Sequence, residues 1–209
     1  MRQLREHPAE LDLLPAEEAL VRGAVDRRRR EFAAVRRCAR GALAALGFPP
    51  EPILVGERGD PIWPAGVVGS MTHCHGYAAA ALGPSTSVLG IGVDAEPEGP
   101  LPEGVEELIC LPQERVRLAD LAREDPRLHW DRLLFSAKES VYKTWYPLMR
   151  TWLDFDQVQI DVDPHHGTFL ARLLVPGPVV AGRQYDEFAG RWTAAGGLIV
   201  TAIVLHRDL

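Results

Sequence analysis

Apolar residues recur at helical spacing in two long stretches of the chain. Between about residues 16 and 47, Phe32, Val35, Ala39, Ala42, Leu43 and Leu46 fall on one stripe at about 100° per residue. Pro15 with Glu17 and Glu18 marks a start, and Gly47 followed by Pro49 and Pro50 a stop, so one long helix is expected. Between about 126 and 146, Trp130, Leu133, Leu134, Ala137, Val141 and Trp145 form a second stripe. A shorter helix is expected over 112–122, where Leu111, Leu118 and Leu121 alternate with charged residues. That pattern suits either a core helix or a docking surface.

Strand-like runs follow each long helix. Gly76–Leu82 and Val88–Ala95, separated by Gly83-Pro84-Ser85, read as a hairpin or as neighbouring strands. Val158–Asp163, a His165-His166-Gly167 turn, Thr168–Val175, Arg191–Ala195 and Leu198–Leu205 read as antiparallel strands. Residues 50–72, rich in Pro and Gly and holding Trp63, read as a loop with an anchor. The expected class is α+β, in two pseudo-symmetric halves that each pack a long helix on an antiparallel sheet. The halves are placed at residues 1–104 and 105–209, with the boundary in the breaker-rich stretch 97–111.

Charge sharpens the first helix. Eight arginines (22, 27, 28, 29, 30, 36, 37 and 40) stand against Asp26 and Glu31, a local charge of +6 in a chain whose net charge is −6. An anionic ligand is expected near this segment, whereas the acidic whole argues against general nucleic-acid binding. Arg28 projects onto the apolar stripe and Arg36 onto its edge, while Arg30 and Arg37 point away. A charge on a buried face needs a counter-ion, which makes Arg28 and Arg36 the ligand candidates. No apolar run approaches the roughly 20 residues of a membrane span, and Met1-Arg2-Gln3-Leu4-Arg5 has no secretory character, so a cytoplasmic protein is expected. Cys38, Cys74 and Cys110 form no CxxC pair and read as small buried hydrophobes.

Three constellations carry possible chemistry. Gly90-Ile91-Gly92-Val93-Asp94-Ala95 has the letters of a dinucleotide fingerprint, but Pro97, Gly99 and Pro100 forbid the helix that must follow. Asp94 and Glu96, two apart at a strand end, share a face and suit a hard cation such as Mg²⁺; taken alone they also read as an acidic surface loop. Phe135-Ser136-Ala137-Lys138-Glu139-Ser140-Val141-Tyr142-Lys143 places Glu139 and Lys143 opposite the apolar stripe of their helix, where spacing alone reads as a solvated ion pair. His73-Cys74-His75 alternates faces and finds no partner pair at zinc spacing; Ser70-Met71-Thr72-His73 reads equally as an anion-binding turn or as a loop whose histidine is merely hydrogen-bonded.

Together these blocks resemble the 4′-phosphopantetheinyl transferases, in particular the monomeric double-length class of the surfactin and enterobactin synthetase activators. The resemblance rests on Arg28-Arg29-Arg30-Glu31-Phe32 through Arg36-Arg37-Cys38-Ala39-Arg40, Trp63-Pro64 through Gly69-Ser70-Met71-Thr72-His73, Gly92-Val93-Asp94-Ala95-Glu96-Pro97, Phe135–Lys143 and Trp152-Leu153-Asp154-Phe155-Asp156. It implies transfer of the phosphopantetheine arm of coenzyme A to a serine of an acyl, peptidyl or aryl carrier domain, with release of 3′,5′-ADP. By the same resemblance Asp94, Glu96 and Glu139 hold Mg²⁺, with Mn²⁺ as its substitute, and Glu139 is the general base. Lys138 and Lys143 contact phosphate, and Arg28, Arg36, Arg58, Ser70, Thr72 and His73 form the coenzyme A cradle. Ala95 stands where many members have Ile. The resemblance implies a monomer with coenzyme A between its halves. The alternatives are a Mg²⁺-dependent nucleotide phosphohydrolase and a non-catalytic protein that binds coenzyme A or carrier domains.

Overall fold

The computed structural model describes residues 1–5 and 11–207. Two antiparallel sheets each carry a 20-residue helix, which is the α+β arrangement expected. In chain order the first part holds β1 (Arg2–Leu4), α1 (Pro15–Val21), α2 (Asp26–Ala45), β2 (Val67–Cys74) and β3 (Tyr77–Pro84). The sheet runs β1-β3-β2, and α2 lies across it through Ala34, Val35, Cys38, Ala39 and Leu43. The alanines at 78 and 80 of β3, fully buried, let the helix approach closely.

The single helix expected over 16–47 is two. Gly23 falls between them, and a mid-helix glycine costs about 1 kcal/mol relative to alanine. The break turns α1 back so that Glu17, fully buried, accepts from Arg40 Nη1 at 2.5 Å and from the Ile53 N–H at 3.0 Å. One arginine of the basic run is thus neutralised inside the fold. Leu46, expected on the buried stripe, is exposed.

The second sheet runs β4 (Val88–Pro97), β10 (Leu198–His206), β9 (Glu187–Ala195), β6 (Thr168–Leu173) and β5 (Val158–Asp163). Between β4 and β5 come α3 (Val105–Ile109), α4 (Pro112–Glu124) and α5 (Trp130–Met149), and a two-stranded ribbon, β7 (Val179–Val180) and β8 (Arg183–Gln184), sits between β6 and β9. Leu133, Leu134, Ala137 and Val141 of α5 are fully buried against this sheet, with Trp130 and Trp145 at the ends of the stripe. Leu118 and Leu121 of α4 join the same core, which removes that helix face as a docking surface.

Two expectations change. Residues 67–74, read as loop and turn, form β2 and make a hairpin with β3 around Gly76, whose φ is 71°. The strand lacks alternation because both its faces are covered: Val67 and Met71 meet the α2 side, while Val68 meets β4. Nor are β3 and β4 a hairpin, since β4 pairs with β10 from the other end of the chain. The hydrogen-bonded sheets therefore part at residues 85–87, ahead of the boundary expected at 104 and 105. The free edge of β4 lies along β2, and its amides are taken by side chains: the Val93 N–H donates to Ser70 Oγ at 3.1 Å and the Ala95 N–H to Thr72 Oγ1 at 3.0 Å. No helix among the described residues is long and apolar enough to cross a membrane.

Candidate active site

A cleft of about 1040 Å³ opens where the two sheets meet. Its walls hold Arg36, Arg58, His73, Asp94, Glu139 and Lys143, together with Ser70 and Thr72.

The geometry begins with the way α5 crosses β4. The two run antiparallel, and two-residue steps on the strand match four-residue steps on the helix. Glu96 meets Arg132, Asp94 meets Ser136, Gly92 lies under Ser140, and Gly90 under Thr144. The match is metric: two strand residues rise about 6.6 Å and four helical residues about 6 Å. A Cβ at Gly92 would overlap the Ser140 carbonyl and the Thr144 hydroxyl, so the Gly90-x-Gly92 pair exists for this close crossing.

Asp94 is 4% exposed and fully engaged. Lys143 Nζ donates to its Oδ1 at 2.6 Å, Thr72 Oγ1 donates to Oδ1 at 3.3 Å, and Ser136 Oγ donates to Oδ2 at 2.8 Å. Glu96 accepts from Arg132 Nη1 at 3.0 Å, while the same guanidinium holds the carbonyls of Gly99 and Pro100. Glu139, half-buried in the cleft wall, has no ion pair or side-chain hydrogen bond among the described residues. Burial raises its pKa and the Asp94 charge raises it further, against the pull of Lys143. Glu96 is raised for the same two reasons, against Arg132. Glu139 and Lys143 are thus not the solvated pair that spacing allows.

Among the described residues no three metal-binding side chains gather at one point. Asp94, Glu96 and Glu139 are not preassembled, because the first two are held by cations of α5. Their chemistry nevertheless fits a hard divalent ion: carboxylate oxygens on one strand face and the facing helix, in a partly desolvated place where two of the three have raised pKa values.

At the first sheet's wall, Arg36 is buried, its guanidinium carbon 3.6 Å from the centroid of the Phe32 ring and its Nε without a partner among the described residues. Burial lowers its pKa to about 10, which still leaves it charged at neutral pH. A desolvated cation with an idle donor facing a cleft is an anion site in waiting. Arg28 is half exposed and reaches His73, pairing its Nη1 with the imidazole Nε2. Since guanidinium only donates, Nε2 is the acceptor and the ring proton sits on Nδ1. Burial holds His73 below the ordinary imidazole pKa, and Arg28 adds to the effect. Arg58 projects from a tight loop, where the Gly56 N–H bonds the Asp60 carbonyl at 2.7 Å, and lies 6.0 Å from the Trp152 ring.

Two sequence expectations are corrected. The Ser70–His73 segment is strand, and the Ser70 and Thr72 hydroxyls join β2 to β4. Lys138 points away from the cleft: its ammonium is buried and its three protons go to Glu114 Oε2, the Ile109 carbonyl and the Phe155 carbonyl at 2.7–2.8 Å. It has no proton left for phosphate in this arrangement. Arg28, half exposed, reaches the cleft at His73. Sequence reasoning missed Arg132, Ser136 and Tyr142, the last with a buried hydroxyl that has no partner among the described residues. The first two had a signal: Arg132, Ser136, Glu139 and Lys143 follow a 4-3-4 spacing, one polar stripe.

Comparison with known proteins places both halves. A family described as 4′-phosphopantetheinyl transferase N-terminal domain matches residues 16–83, and the 4′-phosphopantetheinyl transferase superfamily matches residues 90–195. The chain is 59% identical to the 4′-phosphopantetheinyl transferase Svp of Streptomyces mobaraensis over 193 residues, covering 92% of this chain and 78% of that protein. It is 49% identical to the 4′-phosphopantetheinyl transferase Npt of Nocardia iowensis, over 96% of this chain and 93% of that one. To PptT of Mycobacterium tuberculosis, another 4′-phosphopantetheinyl transferase, it is 46% identical, over 97% and 90%.

Proposed function

Since the chain belongs to the 4′-phosphopantetheinyl transferase superfamily, we propose that the cleft between its sheets is where coenzyme A binds and reacts. The enzyme transfers the phosphopantetheine group of coenzyme A to carrier proteins, releasing 3′,5′-ADP. The observation that carries the assignment of residues is that one cleft holds both a buried arginine with an idle donor and an unpaired, half-buried carboxylate.

In this reading Arg36 takes a phosphate of coenzyme A, with His73 beside it and Arg58 reaching from the loop above. Lys143 takes the pyrophosphate. Glu139 accepts the proton of the attacking carrier serine as its oxygen bonds to phosphorus and the bond to the 3′,5′-ADP oxygen breaks. A raised carboxylate pKa brings such a base closer to its working pH. Asp94, Glu96 and Glu139 would hold Mg²⁺, which supplies charge neutralisation at the pyrophosphate when bound. Both walls of the cleft come from one chain, which supports a monomer, and the use of coenzyme A supports a cytoplasmic location.

Incubation with coenzyme A, Mg²⁺ and an apo carrier domain should add one phosphopantetheine group to the carrier by intact mass. Substituting Arg36→Met should raise KM for coenzyme A with a smaller effect on kcat. An unchanged KM would remove Arg36 from the cradle.

A further inference from the structure

Lys143 has two carboxylates to choose from. Glu139 stands one helical turn before it, the favourable orientation for an ion pair on a helix, yet remains unpaired. The ammonium is turned instead to Asp94 Oδ1, with the Val93 carbonyl at 3.3 Å. The two partners differ in freedom: the Asp94 side chain is 6% exposed and fixed by Ser136 and Thr72, whereas that of Lys143 is 28% exposed on a flexible stem. Asp94 cannot follow Lys143, but Lys143 can leave.

We infer that Lys143 is the resident counter-ion of Asp94, which a divalent metal must displace, so that metal and pyrophosphate exchange partners with it: the metal takes Asp94 and Lys143 takes the phosphate. The inference rests on the assignment of Asp94 to the metal made above. An ammonium 2.6 Å from Asp94 Oδ1 and a divalent cation on the same carboxylate repel one another, so the metal's arrival drives Lys143 towards the phosphate. Metal binding without coenzyme A must therefore expel a cation whose other neighbouring carboxylate, Glu139, is assigned to the same metal. Coenzyme A supplies that receiver, and by thermodynamic reciprocity each ligand strengthens the other. The lysine thus weakens metal binding in the empty enzyme, the opposite of what its place in a metal site suggests.

The test is a titration of the whole protein with Mn²⁺ alone, read from the electron paramagnetic resonance signal of free Mn²⁺. Lys143→Met should bind Mn²⁺ about tenfold more tightly than wild type without coenzyme A, within the 5–150-fold range of ordinary coupling. The gain from adding coenzyme A should shrink in the variant. Lys143→Gln, whose amide still donates to Asp94, provides an uncharged variant should the methionine disturb folding, and Lys143→Arg should restore weak binding. Arg150→Gln removes another cation of the cleft wall and should leave Mn²⁺ affinity unchanged. Equal Mn²⁺ affinity in wild type and both uncharged variants overturns the inference, as does equal tightening by Arg150→Gln. If neither wild type nor variant binds Mn²⁺, with or without coenzyme A, the metal assignment falls and the inference with it, while the mass assay on the carrier still judges the transfer reaction.

Discussion

Lys138 and Lys143 share a helix and do opposite work. Lys143 faces the cleft, whereas Lys138 ties α5 to α4 through Glu114, which also accepts the Leu111 and Ile160 amides. Removing one partner of such a buried pair leaves a charge stranded, so Lys138→Met should cost about 3–5 kcal/mol in urea unfolding. The KM for coenzyme A of the folded variant should stay within about twofold of wild type, because no phosphate contact is lost. Helical angle set Lys143 on the polar stripe with Glu139 and Lys138 off it, but the partner of Lys138 lies on another helix and was not legible locally. The outward direction of Glu139, by contrast, followed from helical angle alone. Glu139→Gln should lower kcat about 100-fold or more, the scale of a lost general base, with coenzyme A affinity nearly unchanged in isothermal titration. His73 provides a pH test. Its pKa is depressed by burial, so the unfolded chain binds this proton more readily, and stability should fall as pH drops below the ordinary 6.5 of an imidazole. By NMR its ring should titrate below that value in the free enzyme, and coenzyme A phosphate should raise the midpoint.

At the level of elements, the register between α5 and β4 decides the site. Four-residue helical steps laid on two-residue strand steps bring Arg132, Ser136 and Lys143 over the two carboxylates of the strand end. Gly92 makes the approach possible, and Gly92→Ala must push the helix away from the strand at Ser140. A loss of about 1–3 kcal/mol is expected from overpacking, with a fall in kcat larger than that stability change explains, since Glu139 moves with the helix. Activity at wild-type level would separate the crossing from the chemistry. The two long helices were legible because each buries a single stripe. β2 was not: covered on both faces, it has no alternation to read, and its serine and threonine look like turn residues until β4 is beside them. The break at Gly23 was hidden for a different reason, because tertiary contacts of Glu17 reward it.

For the whole molecule, the strand that carries Asp94 and Glu96 belongs by chain position to the first half and by hydrogen bonding to the second. A fragment beginning at residue 87 should therefore fold with its five-stranded sheet complete. One beginning at residue 105 lacks β4 and should show lower thermal stability and a greater tendency to aggregate, measured by circular dichroism and light scattering. Thr72→Val probes the seam from the other side: it strands the Ala95 amide and should cost about 1–3 kcal/mol. The pairing of β4 with β10 also bears on how the chain is made. Pro97 finds its partner Leu198 about 100 residues later, so a ribosome adding about 5–20 residues per second leaves the strand waiting some 5–20 s for its neighbour. During that interval Asp94 and Glu96 are already synthesised, and α5 emerges before β10 can close over them. The proposed catalytic face is thus among the last parts of the nascent enzyme to become whole, and a message truncated anywhere before β10 yields a chain without a finished site.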